Sequence, residues 1–163
     1  MIYYSNYQSP LGPMLMTSDG SFLLGLDFVE EKNYSKDLKG MEENKDLPVF
    51  LQTRTWLDQY FSGQRPDFTP AIKFIGTDFR KKIWTKLLEI PYGSTISYGQ
   101  ISQDLYGKKS HSQAVGGAVG SNPISIIVPC HRVLGADSSL TGYAGGLDRK
   151  EFLLNLEKIA YKK

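Results

Sequence analysis

The chain holds a single cysteine, Cys130, and two histidines, His111 and His131, in 163 residues. One cysteine cannot close an intramolecular disulfide, and one cysteine with two histidines is too small a set of soft ligands for a structural zinc site. No metal is expected. No apolar run approaches the roughly 18 residues that span a bilayer, so no membrane partner is expected either. Met1 to Ser5 lacks the basic start and apolar core of a secretory signal, which makes the cytoplasm the expected location. Net charge is nearly absent too, at +2.

What is present is an ordinary globular composition, 40% hydrophobic and 22% charged, enough for one domain or two small ones. The balance of charge is uneven along the chain. Residues 1–75 carry 7 Lys/Arg and 10 Asp/Glu, whereas residues 76–163 carry 12 and 7. A basic excess confined to one half points to nucleic-acid contact; solvated surface lysines are the bland alternative.

The first half suggests a small mixed domain. Ile2 to Tyr7 alternates and is rich in β-formers, Ser9-Pro10-Leu11-Gly12 is a turn, Met14 to Thr17 is a second strand, and Phe22 to Phe28 a third, together a short meander. Glu30 to Asp46 is charged and weakly patterned, which predicts loop and a short helix. Val49, Leu51, Trp56, Leu57 and Tyr60 then give a helical stripe from Pro48 to Phe61, stopped by Gly63. The Pro-containing stretch Arg65 to Pro70 reads as a connection, and the boundary is placed near Gly76, giving domains 1–75 and 76–163.

In the second half, Thr77 or Asp78 caps a helix whose core face is Phe79, Ile83, Trp84, Leu87 and Leu88, ended by Pro91. Ser97 caps a short helix over Tyr98 to Leu105, closed by Gly107, and another helix can start at Ser110 and run through Val119. Two short helices about a tight turn suggest a helix-turn-helix. The second is unusual, because Ala114, Gly116, Gly117 and Ala118 expose little side chain and each glycine costs about 1 kcal/mol inside a helix. Either the backbone must come close to something, or the helix packs tightly within the protein.

A β-branched run, Ile124 to Val128, looks buried and rigid and leads into Pro129-Cys130-His131-Arg132. A lone cysteine is commonly inert filler. As a nucleophile it must be the thiolate, and an ordinary thiol with pKa about 8.5 needs a nearby base or positive field to supply it. His131 can be that base. Glu157, on the amphipathic helix Arg149 to Glu157, is a candidate to orient it, with a solvated surface acid as the alternative.

Pro129-Cys130-His131-Arg132-Val133 resembles the signature of the O6-alkylguanine-DNA alkyltransferases, also called methylated-DNA-protein-cysteine methyltransferases. Ile90-Pro91-Tyr92-Gly93, Ser97-Tyr98, Ala114 to Ala118, Gly120 to Pro123, and Tyr143 to Gly146 with Lys150-Glu151 resemble the family in order and spacing, over nearly all of residues 77–157. The resemblance implies an α/β (α+β) fold, in which a small ribonuclease-H-like N-terminal domain packs on a mostly helical C-terminal one.

It also implies roles. Cys130 accepts the alkyl group, His131 takes the thiol proton through a water, and Glu157 holds and polarises His131. Asn122 ties the recognition helix to the active-site strand. Tyr98 crowds the phosphate beside the target and hydrogen-bonds the guanine ring. Gln113, Ala114, Gly116 and Gly117 lie on the helix that enters the minor groove of double-stranded DNA, and Arg132, Val133, Tyr143 and Ala144 belong to the substrate- and DNA-binding set. The target O6-alkylguanine, with O4-alkylthymine as a further substrate, is flipped into a pocket beside Cys130. The product is a thioether that the chain cannot reverse, so each monomer acts once, with no cofactor.

Two positions depart from the family pattern: Gln113 stands where many relatives carry an intercalating arginine, and Ala144 where some carry serine. Three other readings compete. An alkyltransferase-like lesion binder lacks the reactive cysteine that this chain has. A cysteine hydrolase would turn over repeatedly. A helix-turn-helix regulator would present long polar side chains to the major groove, and residues 114–118 do not.

Overall fold

The computed structural model describes residues 1–30 and 38–163. The chain divides into two compact units, Met1–Ile75 and Gly76–Lys163.

In the first unit, β1 (Ile2–Ser9), β2 (Gly12–Ser18) and β3 (Leu23–Phe28) form the expected antiparallel meander. A fourth strand, β4 (Met41–Glu43), pairs parallel to β1 and gives the order β3-β2-β1-β4. Part of the loop-and-helix expectation for residues 30–46 lies outside the described residues; in the rest, residues 41–43 form β4 and the remainder is turn and loop as expected. Its sequence, Met-Glu-Glu, has no strand signal of its own; an edge position tolerates its charges. Helix α1 (Pro48–Phe61) starts with proline in its first turn and buries Val49, Phe50, Thr53, Trp56, Leu57 and Tyr60. Leu51, expected in this stripe, is 50% exposed. The other four expected positions are buried, and Phe50 and Thr53 complete the face in place of Leu51.

The second unit begins with α2 (Asp78–Leu88), capped by Thr77, whose hydroxyl accepts from Arg80 N at 3.2 Å. Ile83, Trp84 and Leu87 are buried, whereas Leu88 is 39% exposed and Phe79 half-buried. Helix α3 (Tyr98–Tyr106) is capped by Ser97 and ends on Gly107, which is left-handed at φ 71°. Helix α4 (Ser112–Gly120) is preceded by a 3₁₀ turn over Lys109–His111, so the regular helix starts two residues later than expected. Buried Ser102 pins the turn: its hydroxyl donates to Lys108 O and accepts from His111 N at 3.1 Å. Trp84 Nε1 donates to Ala118 O at 2.8 Å and ties α2 to α4.

Residues 124–128, expected to lead a strand into the cysteine, are buried but form turns. Ile126 sits at φ 71°, a left-handed conformation that costs a β-branched residue about 1–3 kcal/mol. Burying its side chain, 1% exposed, offsets this by about 1.5–3 kcal/mol. Asn122 braces the turn, donating from Nδ2 to Val128 O at 2.8 Å and accepting from Ile124 N at 3.0 Å. A short parallel pair, β5 (Ile96–Ser97) with β6 (Val133–Leu134), joins the start of α3 to the segment after the cysteine. Helix α5 (Leu147–Leu156) follows, with Glu157 as its C-cap. Among the described residues, no helix is long and apolar enough to cross a membrane.

Candidate active site

Cys130, His131 and Arg132 form one 3₁₀ turn, held by Arg132 N donating to Pro129 O at 3.0 Å. Cys130 is reduced and 7% exposed. It lines an open cavity of about 340 Å³. Gly116, Val119 and Gly120 of α4 form one wall, Tyr98 at the head of α3 another, and Gly142, Tyr143 and Ala144 the third.

The next two residues of the turn, His131 and Arg132, belong to a buried polar cluster. Glu157 Oε2 is 2.6 Å from His131 Nε2, and Glu157 Oε1 accepts from Arg132 Nε at 2.8 Å and Gly93 N at 3.0 Å. Arg132 Nη1 donates to Ile90 O at 2.8 Å, and its guanidinium lies 5.6 Å from the Tyr92 ring centroid. The Ile90-Pro91-Tyr92-Gly93 turn therefore closes over the Glu157–Arg132 pair, and Gly93, at φ 81°, is the residue that lets its N–H face the carboxylate. Glu157 is 4% exposed, so the surface-acid alternative fails.

Electrostatics follow from burial and pairing. Burial alone would raise the Glu157 carboxyl, but the His131 hydrogen bond and charge, with the Arg132 guanidinium, overcome it and hold the group down at about 2. Burial lowers His131, against the pull of Glu157. Glu157 is thus the ionised partner, held so by His131 and Arg132 together, while burial works against charge on the imidazole. A carboxylate only accepts, so Nε2 carries the imidazole proton and Nδ1 is the basic nitrogen.

Besides the His131–Glu157 pair, the sequence-derived candidates fall into three groups. Cys130, Tyr98, Gly116, Tyr143 and Ala144 meet around the cavity. Gln113, Ala114 and Gly117 are exposed on one face of α4, opposite buried Val115, Ala118 and Val119. Arg132 and Val133 are buried, at 7% and 0% exposure, and Asn122 is partly so; these three organise the site from within. Packing does not account for all of the small residues of α4. A Cβ on Gly116 would stand 3.7 Å from Tyr98 Cδ1, an ordinary contact, and one on Gly117 or Gly120 would meet no described atom within 4 Å.

Sequence reasoning missed Lys150, fully buried on α5, with Nζ donating to Val133 O at 2.8 Å and Thr141 Oγ1 at 3.1 Å. Burial lowers its ammonium to about 8, with the Cys130 charge acting the other way. The signal was available: Lys150 is spaced three and four residues from Leu153 and Leu154, on the core face of the helix.

A cysteine backed by a carboxylate-paired histidine, in a unit that also carries two short helices about a tight turn, has the makings of a nucleic-acid-directed thiol chemistry. Residues 78–159 match the family model of the 6-O-methylguanine DNA methyltransferase DNA-binding domain, and residues 2–74 match that of its ribonuclease-like domain. The methylated-DNA–protein-cysteine methyltransferase of Haemophilus influenzae is 46% identical over 98% of this chain and 88% of its own. That of Methanosarcina acetivorans is 44% identical over 96% of this chain and 98% of its own. Among solved structures, the Mycobacterium tuberculosis O6-methylguanine methyltransferase superposes with a TM-score of 0.86 at 42% identity, covering 97% of this chain and 93% of that one. The Mycobacterium tuberculosis OGT in complex with DNA gives 0.84 at 42%, covering 96% and 92%. The chain belongs to the 6-O-methylguanine DNA methyltransferase family.

Proposed function

We propose that the protein repairs DNA by moving the alkyl group of O6-alkylguanine onto Cys130 Sγ, once per molecule, with residues 76–163 as the DNA-binding and alkyl-acceptor domain and residues 1–75 as the ribonuclease-H-like one. The observation that carries this is the placement of Cys130 on an open cavity, with His131, paired to Glu157, as the next residue of the same turn. His131 takes the thiol proton through a water. Sulfur attacks the alkyl carbon, the S–C bond forms as the C–O6 bond breaks, and the electron pair stays on the guanine. Tyr98 hydrogen-bonds the ring as this charge grows, and the base takes up a proton and leaves neutral. A thioether has no route back to the thiol, so protein and lesion are consumed together.

The exposed face of α4 enters the minor groove. Gly117 and Gly120 have room for side chains within the protein and lack them, which suits a backbone that must approach DNA closely. The target base is flipped into the Cys130 cavity, at an unpairing cost of a few kcal/mol that a damaged pair lowers. The protein acts as a monomer, in the cytoplasm, and takes O4-alkylthymine as a second substrate. Intact mass after incubation with a duplex containing O6-methylguanine tests the proposal: one methyl per protein is expected, and more than one lesion restored to guanine per protein molecule, with no retained adduct, would point to a hydrolase.

Gln113 gives a second test. It is exposed on α4, where many relatives carry arginine. Glutamine is shorter and uncharged, so it fills less of the stack vacated by a flipped base and gains nothing from nearby phosphates. Gln113→Arg is expected to raise the single-turnover rate on duplex DNA while leaving the reaction with a free alkylated base unchanged, since a free base needs no flipping. Equal changes in both rates would remove Gln113 from the flipping step.

A further inference from the structure

Thr141 stands between two groups whose donor and acceptor roles are not equivalent. On one side, Lys150 Nζ lies 3.1 Å from Thr141 Oγ1. An ammonium carries three donors and no acceptor, so Thr141 must accept there. On the other side, Tyr98 Oη lies 2.9 Å from the same oxygen. Thr141 has one hydroxyl proton, and directing it to Tyr98 Oη gives Lys150, Thr141 and Tyr98 a partner each. In that arrangement Tyr98 accepts from Thr141, and its own proton is left for the cavity that Tyr98 lines together with Cys130. Lys150 also donates to Val133 O at 2.8 Å and Thr141 O at 3.3 Å, and so is anchored independently of the hydroxyl.

We propose that Thr141 is a positioning residue: it hands the polarity of the Lys150 ammonium to Tyr98 and orients the phenol as a hydrogen-bond donor toward the substrate base. This deepens the reading of Tyr98 as the residue that hydrogen-bonds the guanine ring, and rests on it. The sign matters for the reaction. As the C–O6 bond breaks, negative charge grows on the base; a phenol presenting its proton stabilises that charge, whereas one turned to donate to Thr141 would present lone pairs to it. Hydrogen bonds in a chain polarise one another, so a phenol that accepts from a hydroxyl held by an ammonium is also a stronger donor. No proton needs to cross. The base gains a pre-oriented dipole, and the preference is for leaving groups with an acceptor facing Tyr98.

The test is a double-mutant cycle on single-turnover alkyl transfer from duplex DNA. Thr141→Val keeps the shape and removes the hydroxyl; it is expected to slow transfer about tenfold, part of the loss that follows removal of an electrostatic donor. In a Tyr98→Phe background, the same substitution is expected to change the rate by less than about twofold, because its route to the base is already gone. Thr141→Ser is expected to restore the rate. Thermal melting and DNA affinity are recorded for each protein, and Thr141→Ala takes the place of valine in both backgrounds if valine lowers the melting temperature. Equal slowing in both backgrounds would make Thr141 structural and overturn the proposal, as would an unchanged Thr141→Val rate beside a slow Tyr98→Phe. A Tyr98→Phe protein with the full rate would overturn the reading of Tyr98 itself, and the proposal with it.

Discussion

Cys130→Ala is expected to bind a duplex containing O6-methylguanine and to keep its starting mass indefinitely, while the unaltered protein gains one methyl within a single turnover. The chain has no second cysteine, and no other side chain around the cavity is a comparable nucleophile. The effect is therefore complete loss, not a slower rate. Folding is expected to survive, because a small buried side chain at 7% exposure is replaced by one only slightly smaller. Binding should survive as well, since the exposed face of α4 is untouched. Peptide mapping places the adduct: methyl found on any residue but Cys130 would sink the acceptor assignment.

Glu157→Gln is the second large effect, and it strikes stability and rate together. The carboxylate accepts from three donors, His131 Nε2, Arg132 Nε and Gly93 N. A glutamine carries one oxygen in place of two and turns an NH₂ toward at least one of those donors, leaving the buried Arg132 charge uncompensated. Breaking one side of a buried pair costs about 3–5 kcal/mol. Losing the imidazole's orienter should lower the transfer rate by roughly 10²-fold, the lower end of what general-base assistance supplies. The pH dependence separates this from a generic packing defect. Glu157 falls from an ordinary value of 4.5 to about 2 on folding, so the folded state holds fewer protons in that interval. Its stabilising contribution is complete above 4.5 and is lost as pH drops toward 2. Urea unfolding at a series of pH values should therefore show the gap between the two proteins narrowing through that window. A constant gap would mean that the carboxylate charge is not what stabilises the site.

Local signals carried much of this architecture. Pro48, Thr77, Ser97, Gly107 and the alternating strands each determine their conformation within a few residues, and the corresponding elements lie where those residues predict. The misses have two causes, a partner distant in the chain for one and a side-chain brace within the turn for the other. β4 exists because β1 offers an edge, and the Ile124–Val128 run turns instead of extending because Asn122 and burial hold it so. At the site, the cysteine and histidine were legible from their chemistry and the Glu157 partner from a pattern match. Arg132 enters the substrate- and DNA-binding set by the family resemblance alone. Only the fold shows that its anion is Glu157, and only the fold brings Lys150, Thr141 and Tyr98 into line.

The Glu157 carboxylate joins three stretches of chain, the turn at residues 90–93, the turn at residues 130–132, and the end of α5. Because the same oxygen atoms fasten the last helix and bind His131, the proposed mechanism implies that a copy of the protein in which that helix has frayed has also lost its activated sulfur. On that mechanism, damage to the fold is converted into chemical silence: a half-denatured molecule would be an inert thiol, not an indiscriminate scavenger of alkyl groups, and its one irreversible reaction would be withheld until assembly is complete.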